Sequence, residues 1–220
     1  MSLKILYFDE MNGFVKSKVM VALWVGMPLV SFLVHFVQPD SEGIPLAMLV
    51  ALVIATMGGA LSTVMLSTTI ISEKLQHVYD LFLVRPVKRW TLLLAKYFAV
   101  VTCLIVAVGI SVGLGLIIDA FASMISLENI WESTMDSLVV SLAAIGISSA
   151  IGVLLGVTVN SVATGAILSI YCGAQLSAVL MMPSILIPGL DPVLYSLPVG
   201  AGVSFVVLLI ATALFNKKQF

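Results

Sequence analysis

Residues 71–96 read ISEKLQHVYDLFLVRPVKRWTLLLAK, and they hold five of the ten Lys and Arg residues in the 220-residue chain. Long apolar runs flank this stretch on both sides, and no other sizeable charged segment occurs in the middle of the sequence. Its reading decides the fold, because it divides a chain that otherwise looks like membrane. Hydrophobic residues make up 61% and charged residues 10%, with a mean hydropathy of +1.21. Soluble domains carry about 25% charged residues. So little polar surface cannot cover a water-soluble particle, and the composition implies a polytopic, all-α membrane protein forming one domain over residues 1–220.

The apolar runs divide into six expected spans: Val19–Val37, Leu46–Ile71, Thr91–Ile118, Leu138–Val159, Val162–Met181 and Val199–Phe215. The second holds no charge over 26 residues; at 1.5 Å per residue it reaches about 39 Å, enough to cross a core of about 30 Å with tilt. Pro28 predicts a kink in the first span. Before that span, residues 1–18 place Leu3, Tyr7, Met11 and Phe14 at helical spacing among charged neighbours, the pattern of an interfacial helix. The chain start lacks the layout of a cleavable signal peptide. Residues 119–136 read as a polar loop, and Asn160-Ser161 as a tight turn. The segment 182–198 holds Pro183, Pro188, Pro192 and Pro198 in apolar surroundings, which suggests an outer re-entrant hairpin before the last span.

Six spans place both termini on one side together with all ten basic residues. Basic residues mark the cytoplasmic face. The acids sort the other way, with Asp40, Glu42, Asp119, Glu128, Glu132, Asp136 and Asp191 outside and only Asp9, Glu10, Glu73 and Asp80 inside.

His35 is the one ionisable residue expected at membrane depth, near the outer end of its span. An intramembrane charge usually marks an ion path or proton relay, so a proton-driven carrier is disfavoured. No H-E-x-x-H and no intramembrane pair of aspartates is present. Catalytic and metal sites are therefore not expected, nor is a nucleic-acid partner. Cys103 and Cys172 both fall in apolar runs and read as small core residues.

Small residues recur every fourth position: Ser161, Gly165, Ser169, Gly173 and Ser177 in one span, Gly152 and Gly156 in another, Gly109 and Gly113 in a third. Such ridges let helix backbones approach closely. Thr56, Ala60, Thr63 and Ser67 form a similar strip. Tight packing within one chain is the plainer explanation, and a dimer seam or translocation path the sharper one. Thr56, Thr63, Ser67 and Gln175 are the polar candidates for a path.

Within residues 73–90, Leu75, Val78, Tyr79 and Phe82 fall at i, i+3, i+4 and i+7, an apolar stripe on a short helix that Pro86 ends. Trp90 sits where indoles gather at the headgroup level. Glu73-Lys74, then Asp80-Leu81-Phe82-Leu83, then Pro86-Val87-Lys88-Arg89, and finally Lys96 together resemble the signature that follows the second span of type-2 ABC-transporter permeases. The chain departs from that signature at His77-Val78, where Gly-Thr is usual, at Lys74 for Arg and at Asp80 for Glu.

The resemblance extends to the layout of interfacial helix, six spans and re-entrant hairpin. It implies that residues 72–90 form a cytoplasmic coupling loop docking on an ABC ATPase subunit, with Glu73, Lys74, Leu75, His77, Val78, Tyr79, Asp80, Phe82 and Arg85 at the contact. It further implies a homodimer or pseudo-dimer, an exporter or flippase role, and a prokaryotic plasma (inner) membrane. No G-x-x-x-x-G-K-[ST] occurs, so ATP and Mg would belong to the partner chain and no cofactor to this one. A self-contained carrier or channel, and a non-transporting membrane scaffold, are the alternatives.

Overall fold

The computed structural model describes residues 3–37, 46–76, 89–122, 127–186 and 191–217. Among them are seven helices and no strand: α1 (Leu3–Val15), α2 (Lys18–Val37), α3 (Leu46–Leu75), α4 (Arg89–Ala122), α5 (Leu127–Thr158), α6 (Val162–Leu186) and α7 (Pro192–Lys217). Helices α3 to α7 each contain a stretch long and apolar enough to cross a membrane. The chain is an all-α, multi-pass membrane protein.

Helix α1 is set off from α2 by a bend of 65°. Ser17 makes the break: its Oγ accepts the backbone N–H of Met20 at 3.2 Å, an N-cap that starts α2. Two stretches expected as irregular are largely helical. Residues 119–122 end α4 and 127–136 begin α5; at 32 residues α5 is about 48 Å long, so its acidic first turns extend beyond the apolar span Thr134–Thr158. The expected hairpin over 182–198 is likewise taken up by its neighbours, with α6 running to Leu186 and α7 starting at Pro192. Proline fits the first helical position because the N–H it lacks would have no partner there. Asp191 precedes it, and its carbonyl accepts the N–H of Tyr195 at 3.2 Å.

The contacts fix the direction of each helix. Thr63 Oγ1 donates to the carbonyl of Ser148 at 3.0 Å, while Lys74 reaches Asn160, so α3 and α5 run parallel. Ser169 donates to Ser67 at 2.6 Å and Gly173 lies against Ala60, so α6 runs antiparallel to α3. Trp24 donates to the Cys103 carbonyl at 3.2 Å and Ser31 to the Ser111 carbonyl at 3.2 Å, which sets α2 parallel to α4. Gly200 beside Ala143 and Ser204 near Gly146 set α7 parallel to α5. Successive helices from α2 to α7 therefore alternate in direction.

Helices α3 and α5 form the centre, with 61% and 56% of their apolar windows buried against 22% and 17% for α6 and α7. Ile54, Leu66, Ile70, Ile145 and Val153 are fully buried there. Close approach is set by glycine: a Cβ on Gly152 would lie 2.8 Å from both the Cα and the O of Thr63, and one on Gly173 would lie 2.8 Å from the Cα of Ala60. Between such backbones, dispersion and weak hydrogen bonds supply the packing energy that water supplies in soluble cores.

Candidate functional site

The basic end of the bundle is organised by Lys96. This residue lies in the second turn of α4, inside the segment expected to lack ionisable groups, and it is only 3% exposed. Its Nζ donates to Glu10 of α1 at 2.7 Å and to Glu73 of α3 at 2.6 Å. A buried ammonium is tolerated when carboxylates neutralise it and accept its protons, and both conditions are met. The two ion pairs join three helices at one point. Glu10 also feels the cost of the junction: burial raises its pKa, Lys96 works against that rise, and Glu73 and Asp9 add to it.

Glu73 and Lys74, expected at an ATPase contact, are the last charged residues of α3. Glu73 faces inward to Lys96. Lys74 donates to the Asn160 side chain and, at 3.4 Å, to the Val159 carbonyl at the α5–α6 turn. Leu75 is exposed. His77, Val78, Tyr79, Asp80, Phe82 and Arg85, with the expected coupling helix and Pro86, lie outside the described residues, as does the side chain of His35. What is visible is the mounting of that loop. Glu73 on its upstream arm and Lys96 on its downstream arm are ion-paired to each other, and Lys96 is also paired to Glu10 of α1.

The residues expected along a path separate into three environments. Thr63 and Ser67 are fully buried. Thr63 donates to Gly59 at 2.6 Å and to Ser148 at 3.0 Å, and Ser67 accepts from Ser169. With Ser148 and Ser177, 3.1 Å apart, they form a hydroxyl-lined seam where α3, α5 and α6 cross. Thr56 is half-buried and donates to its own helix at Val53. Gln175 lies apart from these, on the exposed side of α6 with Tyr171 four residues before it.

Two features escape a reading of the sequence alone. Tyr97 is buried, and its hydroxyl donates to the Gly146 carbonyl at 3.3 Å, tying α4 to α5. The pairing of Glu10 with Lys96 spans 86 positions. Its one signal is that Lys96 falls within an apolar run, where an ammonium needs partners. Among the described residues no group of His, Cys, Asp and Glu is arranged to hold a metal ion. No protein-family model matches the chain, and no curated protein matches it.

Proposed function

We propose that the chain is the membrane-spanning permease subunit of an ABC transporter, an exporter or flippase powered by a separate ATPase chain. The observation that carries this reading is the 71–96 stretch, with Glu73-Lys74, Asp80-Leu81-Phe82-Leu83, Pro86-Val87-Lys88-Arg89 and Lys96 in the order of the type-2 permease signature. Its mounting supports the same reading. The arms of the loop are α3 and α4, each 30 residues or longer, and Lys96 ties their ends together. A push on residues 77–88 would be carried into the bundle through α3, which packs on α2, α4, α5 and α6.

In this reading α2 is the first of six crossings. Its alignment parallel to α4 fits that role, and the basic end of the bundle faces the cytoplasm with both termini. The functional unit is a dimer. Tyr171 and Gln175 are exposed on one face of α6, and an amide facing lipid without a partner is costly; a second copy would cover it.

Gentle solubilisation of the native protein is expected to co-purify an ATP-hydrolysing partner. Tyr79→Ala with Phe82→Ala is expected to abolish that association while membrane insertion stays normal. Retention of the ATPase by the double variant would remove the docking assignment, and a native preparation without ATPase activity would remove the ABC reading.

A further inference from the structure

Helices α1 and α3 both flank α4 but leave a gap between themselves, a cavity of about 570 Å³. That size falls within the range of about 300–1,000 Å³ usual for small-molecule sites. One wall carries the carboxylates Asp9 and Glu10, and the other carries Thr68 and Thr69. Phe14, Val64 and Met65 supply apolar surface, and among the described residues no basic side chain lines the cavity. The ammonium of Lys96 is shared between Glu10 and Glu73, so those three groups sum to −1 when ionised, and Asp9 adds a further −1. The cavity is an acidic space without a matching cation.

A second hollow lies one helical turn away along α3. Along the same strip of α3, Met57 and Leu61 precede Val64 and Met65 at helical spacing, and with Leu23, Gly26 and Met27 of α2 they line a groove of about 400 Å³ that is almost wholly apolar. From Met57 to Thr69 the strip is about 18 Å long, room for an alkyl chain of about a dozen carbons. Each hollow has a glycine in its wall, Gly13 in the acidic part and Gly26 in the apolar part, and a Cβ at either would meet nothing within 4 Å. These glycines differ from Gly152 and Gly173, since no helix approaches them. Their smallness leaves the space open.

We propose that this two-part groove binds a cationic amphiphile, its ammonium group against Asp9 and Glu10 and its chain between α2 and α3. The acidic end lies beside the interfacial helix α1, where a headgroup would enter, and the apolar end runs into the bundle. Electrostatics selects the cation and the groove selects the chain. The inference stands on the geometry alone and does not depend on an ATPase partner.

The test uses the full chain in phosphatidylglycerol nanodiscs and dodecyltrimethylammonium carrying a diazirine at its chain end, with cross-links mapped by mass spectrometry. Labelling is expected on α2 and α3 around Met27 and Met57, competed by unlabelled dodecyltrimethylammonium and not by dodecyl maltoside. Asp9→Asn is expected to weaken competition about fivefold, as for loss of one partly solvated charge. Gly13→Leu and Gly26→Leu, each judged on a monodisperse preparation, are expected to abolish groove labelling by filling the head and tail spaces. Labelling that dodecyl maltoside competes equally, or that all three variants leave unchanged, overturns the proposal. Replacing half the lipid with phosphatidylethanolamine separates two sources of the same chemistry. Lost labelling identifies a lipid ammonium as the ligand, and unchanged labelling identifies a free amphiphile.

Discussion

Lys96 concentrates more of the electrostatics of this protein than any other described residue. With its side chain buried against Glu10 and Glu73, removing the charge leaves two carboxylates facing each other without a cation. Breaking a buried pair in this way costs about 3–5 kcal/mol. Lys96→Met is therefore expected to lower the midpoint of thermal unfolding in detergent sharply, and Lys96→Arg to recover part of the loss; an unchanged midpoint in Lys96→Met would remove the structural role of the junction. Glu10 behaves differently, because its pKa is raised from 4.5 by burial in spite of Lys96. The sign follows from linkage. A raised folded-state pKa contributes stability that is full below 4.5 and is lost as pH rises through the raised value. Glu10→Gln, which imitates the neutral form, is expected to unfold with a flatter pH dependence just above 4.5 and to retain most of the wild-type stability at neutral pH, since Lys96 keeps Glu73. Thermal melts at several pH values would check both points.

At the level of the helices, the small-residue ridges look alike in sequence and differ in the fold. Gly152 and Gly156 of α5 lie against Thr63 and Ile70 of α3, while Gly109 and Gly113 of α4 have nothing within 4 Å of an added Cβ. Gly152→Leu would collide with the backbone of Thr63, which has no flexible end to move aside. A cost of about 1–3 kcal/mol or more is expected from such overpacking. Gly109→Leu is expected to be neutral or stabilising, because a glycine inside a helix already costs about 0.5–1 kcal/mol. Comparing the folded yields of the two variants by size-exclusion chromatography decides the matter, and equal behaviour would contradict the assigned packing. Five of the six expected spans, those in α3 to α7, were legible from apolar run length; helices α2 and α3 begin within a residue of their expected starts, and the turn at Asn160-Ser161 falls between α5 and α6. The polar and proline-rich connections were not. A helix can extend beyond the apolar slab when its first turn is acidic or begins with proline, and hydropathy does not register that extension.

For the whole molecule, the alternation of direction from α2 to α7 and the collection of Glu10, Glu73, Lys74, Lys96 and Asn160 at one end make a specific topology testable. In a background with Cys103 and Cys172 replaced by Ala, Ser41→Cys is expected to react with an impermeant maleimide on intact cells. Gln76→Cys is expected to react only after permeabilisation. Reversed or equal labelling would overturn the six-crossing orientation. Membrane character and the position of the apolar runs were determined by the sequence by itself, because they rest on composition and on runs of local hydropathy. The resemblance of residues 71–96 to a coupling loop also belongs to the sequence. Only the tertiary structure decided which glycines touch a neighbouring helix, that Thr63 and Ser67 are spent on packing hydrogen bonds, and that Lys96 joins Glu10 to Glu73. The reason is physical. Local hydropathy depends on neighbours along the chain, whereas helix contacts and ion pairs depend on which faces of distant helices meet, and in an apolar slab every face looks equally able to be buried until the bundle forms.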